Sequence, residues 1–279
     1  DIYEDIKKVA AEEVLMVDPG RLNFALYKNI PENVKKVEER NPAILFKCVK
    51  NPTEVENIRI AEIKDSVAHV RFMKWLKENV GKETITEMSA SDKLDEFRAE
   101  MGGFIRPSFG PISAFGEHSA IVHYSSSPET DVELHEGTFL MTDTGAGFYE
   151  GSTDITRTYA FGEVSQIMKD HFTLVAISNL NLASPIFKKG CCGMNFDYLA
   201  RKPFWDRGLD FNHGTGHGVG YLLNIHEGPA GFRYTYRAGE SDAFQPGMVI
   251  TDEPGIYIEG SHGVRLENEL LVCEGEKNE

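Results

Sequence analysis

Positive charge and cysteine are what this chain of 279 residues is short of. Lys and Arg number 29 against 44 Asp and Glu, which leaves a net charge of −15. That balance argues against a nucleic-acid backbone or an anionic membrane as partner. It also leaves carboxylates free to bind divalent metals. The four cysteines, Cys48, Cys191, Cys192 and Cys273, show no zinc-site spacing, and an adjacent pair does not bridge to itself without strain. They read as reduced thiols of a cytosolic protein. No apolar run approaches the length of a membrane span, and no signal peptide is visible. The chain starts at Asp1 without Met, so a natural N-terminus upstream is expected. What remains, 41% hydrophobic and 26% charged, is the composition of a soluble globular protein with room for a substantial core, as one large domain or two modest ones.

Residues 1–50 read as the end of something else. Glu13–Gly20 reads as a strand running into a turn and Ala43–Val49 as a second strand, with a polar Lys/Glu-rich segment between. They contain too few apolar residues for an independent core. From residue 51 the pattern changes. Asn51-Pro52-Thr53, with Glu56 three residues after Thr53, reads as a capping box. Val55, Ile58, Val67, Val70 and Leu76 then recur near helical spacing, with Phe72 and Trp75 adding bulk, until Gly81 ends the helix. A second helix is expected over 87–101, short strands and turns over 103–124, and further helices over 164–188 and 195–206, the latter capped by Asn195. Gly-rich turns and strands return over 211–273. Strands, helices and strands in that order predict an α+β arrangement.

Two carboxylates stand out within segments that otherwise read as buried sheet. An apolar run delivers Asp143, a Gly-rich turn follows, and a second strand-like run delivers Asp154. A buried carboxylate is costly unless it is paired or holds a metal, and two on neighbouring strands repel, so a cation between them is the economical reading. Residues 134–145 can also be laid over 244–255 without a gap. Gly137 falls on Gly247, Gly145 on Gly255 and Asp143 on Glu253. Each copy continues to a further acid, Asp154 in one and Glu267 in the other. A duplicated unit with two acids per copy gathers four carboxylates around a pseudo-two-fold axis.

The remaining element is Asn212-His213-Gly-Thr-Gly-His217-Gly-Val-Gly. Its glycines imply backbone conformations that other residues resist and close approach to something, and in that setting His217 reads as a ligand. Two Asp, two Glu and one His make an oxygen-rich set without thiolate. Such a set favours Mn²⁺, with Co²⁺, Fe²⁺ or Zn²⁺ as alternatives. Four carboxylates exceed what one ion needs. Two ions about 3.5–4 Å apart balance the charge better and provide what amide hydrolysis needs, an acidified water and a polarised carbonyl. The competing reading pairs the acids with Arg157 and Arg265. Two arginines cannot neutralise four buried acids, and their positions near the acids in sequence suit orientation of the ligands.

The motifs TDTGAGFYEGSTDITRT, HGTGHGVG, TDEPGIY and VRLENE, in this order, resemble those of the pita-bread metallopeptidases, which include methionine aminopeptidase, prolidase and aminopeptidase P. The similarity is greatest to Xaa-Pro aminopeptidases of the cytosolic type and extends over about residues 50–273. The resemblance implies a pita-bread fold, with duplicated αβ halves, a curved antiparallel sheet and outer helices. It implies residues 1–50 as a remnant of a preceding creatinase-like domain and 51–279 as the catalytic domain, without the family's C-terminal extension. By it, Asp143, Asp154, His217, Glu253 and Glu267 are ligands of two divalent ions, and Glu253 also accepts a proton from the attacking water. His123 and His226 resemble the histidines that stabilise the tetrahedral intermediate and shuttle protons. His213 resembles a pocket-lining residue and Arg265 one that positions substrate. The implied substrates are peptides with proline second, and the implied setting is a cytoplasmic enzyme, a homodimer at full length. A prolyl amide has no N–H, so peptidases that read that donor fail on it. An Xaa-Pro dipeptidase is the nearest alternative. A metal-free binding module of the same fold is the non-enzymatic one, and the complete ligand set speaks against it. His118, His135 and His171 match no motif and read as structural or exposed, and His262 is left without a role.

Overall fold

A computed structural model describes residues 1–276. The chain divides into two compact units, Asp1–Lys47 and Cys48–Glu279. The first holds α1 (Ile2–Asp5), β1 (Val14–Val17), α2 (Phe24–Lys28) and β2 (Lys35–Glu38), with β1 and β2 paired in parallel. Contrary to expectation it has a small core of its own, Val17, Ile30 and Val34 flanked by Leu15 and Leu22. The strand expected over 43–49 is instead a helix, α3 (Ala43–Cys48). Pro42 pre-sets the entry dihedral, Asn41 accepts from the Ala43 N–H at 3.0 Å, and only Ile44 in the helix is β-branched. Val49 alone makes a bridge, to Met248.

The second unit opens with α4 (Pro52–Asn79) and α5 (Glu87–Glu100). The capping box of α4 is formed by Asn51 and Glu54, not by Thr53 and Glu56. Asn51 accepts from the N–H groups of Thr53 and Glu54, and the Glu54 carboxylate returns to the Asn51 N–H at 2.9 Å. Pro52 sits at the first helical position, where its missing N–H is harmless, and draws the start two residues back. The buried stripe also differs from the expected one. Ile58, Ala61, Asp65, Ala68, His69, Phe72 and Leu76 face inward, while Val67 and Val70 are exposed. Two inward residues are charged or titratable, which is why an apolar count misplaces the stripe.

Strands β3 (Phe104–Pro107), β4 (Ile112–Phe115), β5 (Phe139–Thr144), β6 (Ala146–Phe148), β7 (Gly151–Ser152) and β8 (Ile155–Ala160) follow. They form two antiparallel sheets, β4-β5-β8 and β3-β6-β7. The expected turn between Asp143 and Asp154 is therefore more than a turn, because β6 and β7 pair within it and β3 adds an edge. Helix α6 (Gln166–Ala183) stops short of the expected 188, just before Pro185, which disfavours helical geometry at the preceding residue. In α7 (Asp197–Trp205) the cap residue is Phe196, without a side-chain cap bond. The Asn195 side chain serves the preceding turn, accepting from the Cys192 N–H at 2.8 Å.

Strands β9 (Gly216–His217), β10 (Gly231–Phe232), β11 (Val249–Asp252), β12 (Gly255–Ile258), β13 (His262–Arg265) and β14 (Asn268–Leu271) complete the unit. The pairs β9-β10, β11-β14 and β12-β13 are antiparallel. The halves repeat one plan. In the first, α4 and α5 pack Phe72, Leu76 and Leu94 onto Leu140 and Tyr159 of β5 and β8. In the second, α6 and α7 pack Leu174, Val175 and Phe204 against Ile256 and Val264 of β12 and β13. Strand β5 returns along β8 with Asp143 opposite Thr156, and β11 returns along β14 with Asp252 opposite Asn268. Among the described residues no helix is long and apolar enough to cross a membrane.

Candidate active site

The end of β5, the start of β8, β9 and the ends of β11 and β13 converge on one cleft of about 490 Å³, lined among others by Asp143, Asp154, His217, Glu253 and Glu267. Ligand atoms of Asp154, His217 and Glu267 lie within 4.8 Å of one another. His217 Nε2 stands 3.4 Å from Asp154 Oδ2 and 3.7 Å from Glu253 Oε1. Backbone approach makes this convergence possible. A Cβ on Gly216 would meet the Thr251 carbonyl oxygen at 1.9 Å, and one on Gly145 would meet the Thr153 carbonyl at the same distance. Gly214, Gly216, Gly218 and Gly220 all keep ordinary φ angles. Of the two reasons for glycine inferred from sequence, only close approach applies at these four.

Three of the four acids are oriented by neighbours, two of them threonines to which the sequence assigned no role. Thr156 donates to Glu267 Oε2 at 2.6 Å. Thr251 donates to Glu253 Oε1 at 3.3 Å and accepts from the His217 N–H at 3.0 Å. Arg265 Nη2 donates to Asp143 Oδ2 at 2.5 Å. Arg157 does not pair with an acid of the cluster; it holds the Glu267 carbonyl and Asn268 Oδ1, the latter at 3.0 Å. The two arginines thus divide between the readings open in the sequence: Arg265 forms an ion pair, and Arg157 orients the backbone.

The electrostatics of the cluster favour a cation. Burial, then the charges of Asp143 and Glu253, hold the Asp154 carboxyl well above the usual carboxylate range. Burial followed by Asp154, Glu253 and Asp143 does the same to Glu267, and burial raises Glu253 despite His217 and Arg265. His217 Nδ1 stands 3.0 Å from the Gly218 carbonyl, which only accepts, so Nδ1 donates there and Nε2 is turned toward the carboxylates. The donor set, all oxygen and imidazole nitrogen, suits Mn²⁺, Co²⁺ or Zn²⁺. The residues present therefore fit a metal.

His123 and His226 both line the cleft. The His226 ring stands edge-on to His217 with centroids 4.2 Å apart, and burial followed by the neighbouring His217 lowers its pKa. His213 and Arg265 are not among the cleft-lining residues. They meet behind it at Tyr257, whose hydroxyl lies 2.8 Å from His213 Nε2 and 2.7 Å from Arg265 Nη1. Burial, then Arg265, lowers the His213 pKa to about 3, so the ring is neutral. Tyr257 was not legible as a site residue, because one Tyr after an apolar Ile carries no signal. His118 accompanies Tyr124 against Glu87, and His171 hydrogen-bonds His262 at 2.9 Å; none of the three histidines lines the cleft.

The profile of metallopeptidase family M24 matches residues 56–274. The chain belongs to that family. Among curated M24 relatives it is 39% identical to a probable Xaa-Pro aminopeptidase P of Botryotinia fuckeliana, over 91% of this chain and 39% of the relative. It is 37% identical to aminopeptidase P1 of Lotus japonicus, over 96% and 44%. Among solved structures it superposes on the X-prolyl aminopeptidase of Caenorhabditis elegans, described as a cytosolic enzyme with a di-nuclear active site, with a TM-score of 0.87, 32% identity and coverage of 96% and 44%. On the prolidase of Pyrococcus furiosus the values are 0.80, 29%, 98% and 76%. The fold is thus the pita-bread arrangement of M24 enzymes. The chain spans about two-fifths of the length of the curated relatives it matches.

Proposed function

We propose that this chain carries the catalytic site of a metal-dependent exopeptidase that hydrolyses the bond between an N-terminal residue and a following proline. The observation that supports this reading most is the convergence of Asp154, His217 and Glu267 beside Glu253 and Asp143, in a chain whose relatives are named for Xaa-Pro cleavage. These five residues are the proposed ligands of two divalent ions, Mn²⁺ first, with Co²⁺ or Zn²⁺ as alternatives. Bound there, such a pair supplies a Lewis acid for the scissile carbonyl and lowers the pKa of an attacking water.

The chain's own groups do the rest. Glu253, half-buried in the cleft, accepts the proton of the attacking water. His123 and His226 line the same cleft, donate to the oxyanion as it develops, and relay the proton taken up by Glu253 to the prolyl nitrogen. Arg265 fixes Asp143, and Tyr257 fixes His213 against Arg265, so both positions shape the site from behind. Phe109, Pro111, Ile112 and Ile225 give the cleft an apolar wall suited to a pyrrolidine ring. Residues 1–50 are proposed as the end of a preceding creatinase-like domain and 51–279 as the catalytic domain. A cytoplasmic location and a homodimer at full length belong to the same proposal.

The test supplies Mn²⁺ and compares an Xaa-Pro-Xaa tripeptide with an Xaa-Pro dipeptide. Release of the first residue from the tripeptide, abolished by a chelator and by Asp154→Ala, is the expected result. Cleavage of the dipeptide alone would replace the proposal by an Xaa-Pro dipeptidase, and failure on both would sink it.

A further inference from the structure

Helices α4 and α5 carry a charged pair that the proposed chemistry does not use. Asp65 and Arg98 are both buried. Arg98 donates from Nε to Asp65 Oδ1 at 2.8 Å and from Nη2 to Oδ2 at 3.1 Å. Both partners also reach out of the helices. Arg98 Nη2 donates to Thr144 Oγ1 at 2.9 Å, and Thr153 Oγ1 donates to Asp65 Oδ2. Thr144 directly follows Asp143, and Thr153 directly precedes Asp154. One ion pair thus holds the chain next to both acids of the first half.

The second half contains the same device made from different positions. Asp197 and Arg201, one turn apart on α7, are buried and joined Nε to Oδ2 at 2.7 Å. Thr215 Oγ1 donates to Asp197 Oδ1, and Arg201 Nη2 donates to the His213 carbonyl at 2.9 Å. Thr215 lies two residues before His217, and its carbonyl accepts from the Glu253 N–H at 2.9 Å. In each half a buried aspartate, fixed by arginine, accepts a threonine hydroxyl beside the ligand-bearing backbone. Desolvation offsets much of what a buried ion pair contributes to stability, so stability alone is a weak reason to build it twice.

We propose that Asp65–Arg98 and Asp197–Arg201 are positioning residues for the metal cluster. The first pair sets the spacing of Asp143 and Asp154; the second sets His217 against Glu253. Each holds its ligands close despite their repulsion before a cation binds, and this rests on the reading of those residues as metal ligands. Groups that orient ligands typically change metal affinity when removed.

Thr153→Val and Thr215→Val keep both ion pairs and the side-chain shape and remove the hydroxyls, at Thr153 together with the bond its oxygen accepts from the Ala146 N–H at 2.9 Å; Thr153→Ser and Thr215→Ser put the hydroxyls back. The full chain is titrated with Mn²⁺ alone, following free Mn²⁺ by electron paramagnetic resonance, and thermal unfolding of the metal-free protein is recorded alongside. Each Val variant is expected to bind Mn²⁺ about 10–100-fold more weakly, and each Ser variant within about threefold of the native chain. A merely structural role would lower the unfolding temperature without this rescue pattern in affinity. Val variants that bind Mn²⁺ as the native chain does would overturn the proposal. Should Thr153→Val not fold, Thr144→Val, which removes only the Arg98 contact, takes its place with the same two outcomes. A native chain that takes up no Mn²⁺ would instead overturn the metal reading, a result that involves no variant.

Discussion

Acidification should unfold this protein partly through one histidine that does not line the cleft. His69 lies on the inward face of α4 and is only 6% exposed. Its Nε2 stands 3.4 Å from Arg98 Nη2, its Nδ1 3.0 Å from the Tyr159 hydroxyl, and Asp65 Oδ1 is 3.9 Å away. Arg98 can only donate, so Nε2 must accept and the proton sits on Nδ1. A second proton would point at the guanidinium. Burial first, opposed by Asp65 and reinforced by Arg98 and Arg157, lowers the pKa to about 3. In the unfolded chain the same group titrates near ~6.5. The unfolded state therefore binds the extra proton, and the contribution of His69 to stability is complete above ~6.5 and declines as pH falls from there toward the folded value. At pH ~5.5 the loss is RT ln(1 + 10), about 1.4 kcal/mol. His69→Asn keeps a polar atom near Tyr159 and removes the titration. Urea unfolding, followed by the fluorescence of Trp75 and Trp205, should show the native chain losing about 1.4 kcal/mol more than the variant between pH ~7.5 and ~5.5. Parallel profiles for the two proteins would refute the assignment of a neutral, locked imidazole.

Other perturbations have equally definite outcomes. Phe72→Ala, at a fully buried position of the first-half core, should cost about 3–5 kcal/mol in denaturant unfolding while leaving the fold intact. Gly216→Ala drives a methyl into the Thr251 carbonyl and should cost about 3 kcal/mol or more; a loss below that in calorimetry would show that β9 and β11 can separate. Burial pushes the Cys48 thiol up to about 11, whereas Cys273 is exposed. A thiol reagent read by mass spectrometry should therefore mark Cys273 in the native protein and reach Cys48 only after denaturation.

The chemistry of the site was more legible in the sequence than the scaffold that aims it. Acids inside apolar runs and a histidine among glycines conflict with their local setting, and such conflicts mark function. The superposition of 134–145 on 244–255 also anticipated the matched returns of β5 along β8 and β11 along β14. Groups that act through ordinary residue types stayed silent. Thr156, Thr251 and Tyr257 look like any strand residues, and their partners lie far off in sequence, as with Thr156 and Glu267. The inward stripe of α4 was misread for the opposite reason. Asp65 and His69 occupy core positions because their partners come from α5 and the β5–β8 hairpin, and a helix seen alone cannot reveal that. At 43–48 the sheet propensity of a short apolar run gave way to Pro42 and a cap by Asn41.

The meeting of Arg265 with Asp143 has one further consequence. These residues lie 122 positions apart, and Glu267 draws on the same distant segment of chain. Either half of the molecule, folded alone, would hold only two or three of the five proposed ligands. The cluster comes into being only when both halves have docked, a late event for contacts of such long range. If the proposed ligands do take up a divalent ion, its uptake by a refolding chain would follow the formation of the helices and hairpins of each half.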